Sequence, residues 1–215
     1  MPKSALPVLV IGDKNLSSWS LRPWLLLRHF GVPFEELRLP LDTPEFEARI
    51  GQYSPSRRVP VLHHGDLVVW DSLAICEYAN ETFLGGRGWP AEARARATAR
   101  SVSAEMHSGF AQLRAQLPMN CRKRVTGFVP GPEAQRDLDR VTAIWRDCRA
   151  RHAAAGPYLF GAFSIADAMY APVVLRLQSY GVPVGEVEQN YAQGLLALPA
   201  LGEWLAAAER ETPSA

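Results

Sequence analysis

Apolar residues recur along this chain with two different periods, and the change from one to the other divides it. Near the beginning, Val8-Leu9-Val10-Ile11 lies between Pro7 and Gly12 and reads as a short buried strand. Leu21 to Phe30 follows as a helix, with Pro23 accommodated in its first turn and Gly31 placed to stop it. Phe34 to Leu39 alternates as a second strand, and Thr43-Pro44-Glu45-Phe46 opens a short helical turn that closes near Tyr53-Ser54-Pro55. Val61-Leu62 and Leu67-Val68-Val69-Trp70 read as strands around a turn, His63-His64-Gly65-Asp66, before a helix from Ser72 to Phe83. The order β-α-β-α-β-β-α predicts an α/β domain over residues 1–85 with helices packed on a mixed sheet.

Beyond a Gly-rich linker at 86–90, ending Trp89-Pro90, only the helical period remains, which predicts an all-helical domain over 91–215. Val102, Met106, Phe110, Leu113 and Leu117 share one face of a long helical segment from Ala91 to Leu117. Leu138, Val141, Ile144, Trp145 and Cys148 repeat the pattern. Ser164-Ile165-Ala166-Asp167 is a capping box that starts a helix toward Tyr180, with Pro172 inside it implying a kink or a locally satisfied break. Leu198 to Glu209 forms a last short helix.

Composition narrows the partners rather than the fold. The chain has 215 residues, 47% of them hydrophobic and 21% charged, with a net charge of +1. That balance gives no reason to expect nucleic acid or a membrane surface as partner. No apolar run approaches a membrane span, and the first residues lack a signal-peptide core. The three cysteines, Cys76, Cys121 and Cys148, are scattered and odd in number, as expected of free thiols in a reducing cytoplasm. No His, Cys or carboxylate cluster has metal-ligand spacing.

Candidate chemistry lies at two dipeptides. In Arg58-Val59-Pro60-Val61-Leu62 the proline cannot sit in a central ladder, so it marks a strand start or bend and is a candidate for a cis bond. The backbone of Val59 is then free to pair with an extended ligand. Asp71-Ser72 opens the following helix, whose terminal N–H groups suit a carboxylate while Asp71 suits an ammonium group. The plainer alternative is that Asp71 or Ser72 only caps the helix. The joint spacing favours a ligand with an amino acid head and a peptide bond in its middle.

An α/β domain with Val59-Pro60 and Asp71-Ser72, followed by a helical domain carrying Gly161-Ala162-Phe163-Ser164-Ile165-Ala166-Asp167, resembles the cytosolic glutathione transferases over essentially the whole chain. The resemblance implies a thioredoxin-like first domain, a cis peptide at Val59-Pro60, a homodimer with the Leu73-Ala74-Ile75 region near the contact, and glutathione as co-substrate. Val59 would bind the cysteinyl backbone, Asp71 and Ser72 the γ-glutamyl group, and Arg57 or Arg58 the glycyl carboxylate. Ser17-Ser18-Trp19-Ser20-Leu21-Arg22 looks most like the zeta-class stretch Ser-Ser-Cys-x-x-Arg, a class that includes maleylacetoacetate isomerases. By that likeness Ser17 is the catalytic serine and Ser18 the second choice, each acting on the glutathione thiol, or else serving only as helix caps.

Two positions depart from the class. Trp19 stands where it carries cysteine, and Ser179 stands near where the isomerases carry an arginine, with Arg176 one turn earlier as a substitute. The second substrate, a small electrophile, is expected between the domains, with Trp19, Met106, His107 and Phe110 as candidates; core packing is the favoured reading for Met106 and Phe110, and plain surface the alternative for His107. Conjugation or isomerisation leads. A glutathione-dependent reductase, lacking a first-loop cysteine, and a non-catalytic glutathione-binding protein are the alternatives.

Overall fold

The structure, a computed structural model, describes residues 6–211; positions 1–5 of the expected first domain and 212–215 of the second lie outside it. In the first domain β1 (Val8–Ile11), α1 (Ser18–His29), β2 (Glu35–Arg38), α2 (Pro44–Tyr53), β3 (Val61–His64), β4 (Leu67–Trp70) and α3 (Ser72–Thr82) follow in the predicted order. The sheet runs β2-β1-β3-β4, with β1 and β2 parallel and the other pairs antiparallel. Because strand side chains alternate between faces, β1 feeds two cores. Leu9 and Ile11 pack with Leu21, Leu25, Ile75 and Ala79 of α1 and α3, while Val10 packs with Phe46 and Ile50 of α2.

The helical domain comprises α4 (Ala93–Ser108), α5 (Ala111–Gln116), α6 (Pro132–His152), α7 (Ile165–Tyr180), α8 (Glu186–Leu196) and α9 (Pro199–Arg210). Residues 83–92 join the domains, and Glu92 caps α4 through the amides of Arg94 and Ala95. Helix α7 is buried nearly throughout and packs against α1 and α4, so one apolar cluster spans both domains. Its start is the predicted capping box: Ser164 N donates to Asp167 Oδ2 at 2.9 Å, and burial pushes the Asp167 carboxyl up to about 6.

Four local expectations are corrected. Helix α1 begins at Ser18, not Leu21, so Pro23 lies past the first turn. The segment expected as one helix from Ala91 to Leu117 breaks at Gly109-Phe110, where Phe110 takes φ 58° and a Cβ on Gly109 would lie 2.8 Å from the Glu105 carbonyl oxygen. The new helix start is capped from outside, by Asp137 of α6 accepting from Gln112 N at 3.0 Å and Leu113 N at 2.9 Å. His63 and His64 are strand residues rather than turn: one ring bonds Tyr53 O and the other Tyr78 OH, both at 2.8 Å. Helix α8 was not expected at all.

Candidate active site

The chain reverses at the C-terminal end of the sheet, where the start of β3, the start of α3 and the end of α4 converge on a cleft of about 400 Å³. Its walls are Trp19, Ser56, Arg58, Val59, Pro60, Trp70, Asp71, Ser72 and His107. The Val59-Pro60 peptide is cis, as expected, and the β1–β3 ladder starts only at Val61, which leaves Val59 beyond the last paired residue. Of the two adjacent arginines, Arg58 faces the cleft, whereas Arg57 turns back to Glu47, reaching its carboxylate at 3.1 Å.

Asp71 and Ser72 sit at the N-terminus of α3. Asp71 Oδ1 accepts from Leu73 N at 2.9 Å and Ala74 N at 3.2 Å, so the capping alternative is realised on one carboxylate oxygen. The other oxygen, Oδ2, meets His107 Nε2 at 3.0 Å across the domain boundary. Asp71 holds φ 77°, ψ 133°, a region costly for any residue with a Cβ. The Ser72 hydroxyl is buried, lines the cleft and has no hydrogen-bond partner among the protein's own atoms, so it is available to a group placed in the cleft.

His107 comes from the last turn of α4 and packs edge-on against Trp19, with ring centroids 5.3 Å apart. Burial holds its imidazole below the ordinary range; Asp71 opposes this, and Arg22 and Arg114 reinforce it. With Nε2–H donated to Asp71, Nδ1 carries the lone pair, and it too is buried without a partner. Met106 and Phe110, expected here with it, do not line the cleft; both belong to the apolar core, where the α4–α5 break carries Phe110 inward.

Ser17 and Ser18 are buried and do not line the cleft; they directly precede Trp19, which does. Ser17 is the N-cap of α1, accepting from Ser20 N, and its hydroxyl donates to Ser20 Oγ at 2.7 Å. Ser18 Oγ accepts from Arg176 Nη2 at 3.2 Å, which leaves the Ser18 proton uncommitted. Arg176 is buried, with its Nη1 on the Leu117 carbonyl at the end of α5, and it does not reach the cleft.

Sequence reasoning missed the charge beneath Trp19. The guanidinium carbons of Arg22 and Arg114 lie 4.2 Å and 4.6 Å from its ring centroid. Among the described residues neither these nor Arg176 forms an ion pair, and Arg22 Nε and Nη1 have no hydrogen-bond partner. Burial and the neighbouring arginines push Arg22 down to about 9 and Arg176 down to about 10. A positive field with no ion-paired partner, only partly offset by Asp71 at Arg22 and Asp137 at Arg114, therefore sits at the start of α1, where it adds to the helix dipole. Among the described residues no three His, Cys, Asp or Glu side chains gather as a metal site.

A thioredoxin-like sheet with a cis-proline edge, an Asp-Ser helix start and an appended helical bundle defines a class of two-domain α/β-plus-α folds with a cleft between the domains. Comparison with known proteins makes this specific. The glutathione S-transferase N-terminal domain family matches residues 16–82, and the glutathione S-transferase C-terminal domain family matches 91–207. The chain belongs to the glutathione S-transferase family. It is 27% identical over 201 residues to maleylacetoacetate isomerase of Rattus norvegicus, covering 90% of this chain and 89% of that one. It is 40% identical to dichloromethane dehalogenase of Methylorubrum extorquens over 60 residues, which are 27% of this chain and only 21% of the dehalogenase. A glutathione transferase homolog from Burkholderia, solved with bound glutathione, shares the fold with a TM-score of 0.74 at 23% identity, over 96% of this chain and 100% of that one.

Proposed function

We propose that this protein binds glutathione in the cleft between its domains and activates the thiol for attack on a small electrophile, by conjugation or isomerisation. The observation that carries the reading is the buried, unpartnered Ser72 hydroxyl at the start of α3, between the Asp71 carboxylate and the Val59-Pro60 edge. In this reading the γ-glutamyl carboxylate takes the α3 N-terminus and Ser72, its ammonium takes Asp71, the cysteinyl backbone pairs with Val59, and the glycyl carboxylate meets Arg58.

The sulfur then lies at the start of α1. A free thiol has a pKa near 8.5. Lowering it by about two units raises the thiolate fraction at pH 7 from about 3% to about 75%, for roughly 2.7 kcal/mol of preferential stabilisation. The α1 dipole, the Arg22–Arg114–Arg176 field and one hydroxyl are of the right kind to supply it. Ser17 gives its proton by turning from Ser20, whereas Ser18 already has its own free, and separate Ser17→Ala and Ser18→Ala variants assign the donor. The electrophile stacks on Trp19 beside His107.

The likeness to other family members supports a homodimer in the cytoplasm, with α3 at the contact. Sedimentation tests the dimer, and among the described residues no helix is long and apolar enough to cross a membrane.

The test is to titrate bound glutathione by thiolate absorbance and to assay an activated aryl halide and a maleyl-type substrate. A lowered thiol pKa with turnover of either substrate supports the reading. Binding with a pKa left near 8.5 leaves a glutathione-holding protein without the chemistry, and no binding overturns the site itself.

A further inference from the structure

The loop between β1 and α1 is held from the other domain. Glu211, which follows α9, places Oε1 2.7 Å from Lys14 N and Oε2 3.0 Å from Asn15 N, so one carboxylate accepts from two consecutive amides. The carbonyls of the same two residues are bound as well. Lys14 O accepts from Trp204 Nε1 of α9 at 2.8 Å and from Cys121 Sγ at 3.4 Å, and Asn15 O accepts from Cys121 N at 3.0 Å. Arg122 N donates to Asn15 Oδ1 at 3.1 Å, and Arg122 Nη1 donates to the carbonyl of Glu211 itself at 2.9 Å. Every backbone polar group of Lys14 and Asn15 is thus taken by the helical domain.

A loop that needed only to connect β1 to α1 would bond water or its own turn. This one is fixed two residues before Ser17, the cap from which α1 takes its direction. The carboxylate is itself oriented, because Arg38 of β2 lies 3.6 Å from Glu211 Oε1 and 2.9 Å from Asp13 Oδ1. Charge-assisted bonds to backbone amides are shorter and stronger than neutral ones. Small displacements of donors around a reacting atom cost rate out of proportion to their size.

We propose that Glu211 is a positioning residue: by clamping the Lys14 and Asn15 amides it sets the start of α1, and with it the donors that meet the glutathione sulfur. This rests on the proposed glutathione reading and deepens it, since it makes thiol activation depend on a residue from the far end of the helical domain that touches neither substrate. The γ-glutamyl and glycyl ends of the ligand bind to other elements, so affinity and activation separate.

The experiment compares Glu211→Gln with Glu203→Gln. Glu203 is also on α9 and also ties it to the first domain, through Arg28 of α1, but does not touch the loop. A glutamine offers one carbonyl oxygen where two amides need acceptors, and its NH₂ faces the second amide. In Glu211→Gln the thiol pKa of bound glutathione should rise by about 0.5–1 unit, lowering kcat at pH 6 about 3- to 10-fold. Affinity for S-methylglutathione, which has no thiol to activate, should stay within about two-fold. Glu203→Gln should change neither pKa nor kcat. Glu211→Asp, one methylene short, should fall between and stands in if the glutamine variant folds poorly. A folded Glu211 variant with wild-type thiol pKa overturns the proposal. So does an equal shift in Glu203→Gln, which would make the effect one of domain docking. Failure of the wild-type protein to bind S-methylglutathione overturns the glutathione reading and the clamp together, and is distinguished by appearing before any substitution is made.

Discussion

Replacing Asp71 by glycine should leave the fold more stable than replacing it by alanine, while either change abolishes the ligand site. Asp71 holds φ 77°, and a residue with a Cβ in such a region costs of order 1–3 kcal/mol. Glycine removes that strain. It loses the cap on Leu73 and Ala74, but glycine is itself an acceptable N-cap, so the loss is about a few tenths of a kcal/mol. It also loosens the unfolded chain, at about 0.4–1 kcal/mol. The half-exposed contact with His107 adds only about 0–1 kcal/mol. The balance runs from about 1 kcal/mol against glycine to about 2 kcal/mol in its favour. Asp71→Ala keeps the strain and loses the cap, so it should fall by about 1 kcal/mol. At about 2–4 °C per kcal/mol for a chain of this size, the glycine variant should melt several degrees above the alanine variant. S-methylglutathione at about 100 times its Kd should stabilise the wild type by about 2.7 kcal/mol and neither variant appreciably. Differential scanning calorimetry with and without the ligand reads both effects. A glycine variant that melts below alanine refutes the strain argument, and one that keeps the full ligand shift refutes the placement of the γ-glutamyl group.

Three further outcomes follow from groups around the cleft and in the core. His107 is held below its ordinary pKa by burial and by Arg22 and Arg114, with Asp71 opposing; on acidification the unfolded chain therefore binds this proton first, and stability should fall as pH drops below about 6.5 until the folded imidazole titrates. Urea titrations from pH 7.5 to 5.5 should show a shallower slope in His107→Gln, and identical slopes would refute the assignment. Met106→Ala should cost about 2–5 kcal/mol in urea denaturation with S-methylglutathione affinity within two-fold of wild type, because Met106 fills core rather than cleft. Burial pushes the Cys121 thiol up to about 12 and the Cys148 thiol up to about 11, and Cys76 is raised further by the same cause; all three should resist an aromatic disulfide reagent in the native state and react once unfolded, and rapid labelling of any of them in the native protein would contradict this packing.

The order of elements was legible because each strand and helix of the first domain has its own punctuation: Gly12, Gly31, Pro44, Gly65 and Asp71 stand at element ends. The placement of Val59-Pro60 and Asp71-Ser72 at the cleft was legible for a related reason, since both are local signals whose backbone consequences need no distant partner. The break at Gly109-Phe110 was not. Leu113 and Leu117 keep helical spacing with Met106 across it, so the periodicity runs on while the backbone does not, and the cap that restarts the helix is Asp137, more than twenty residues away. Helix α8 was hidden by its polarity, with Glu186, Glu188, Gln189 and Asn190 diluting the apolar positions at Tyr191 and Leu195. His63 and His64 read as turn because their partners, Tyr53 and Tyr78, belong to other elements.

The same division between local and distant causes explains where this molecule holds its uncompensated groups. Many core hydroxyls elsewhere are closed by partners, as Tyr170 is by the Val102 carbonyl and Ser179 by the Asn120 carbonyl, although Ser103 Oγ, Trp145 Nε1 and Tyr191 OH are not. Around the cleft and beneath it, by contrast, Ser72 Oγ, His107 Nδ1, Arg22 Nε and Nη1, and Arg114 Nε are buried without partners, and Asp71 is strained besides. Each buried orphan costs about 1–3 kcal/mol, and an unpaired guanidinium costs more. A fold that needed only stability would remove these groups, as hydrophobic replacements of buried charges commonly show. Most of these groups cluster on α1, α3, α4 and α5, at the cleft or directly beneath it. A hydrogen-bonding anionic ligand held at Ser72 and His107 would recover part of that free energy, with the buried arginines beneath Trp19 contributing through their field alone, which is the physical reason to read the cleft as a site rather than as a gap between two domains.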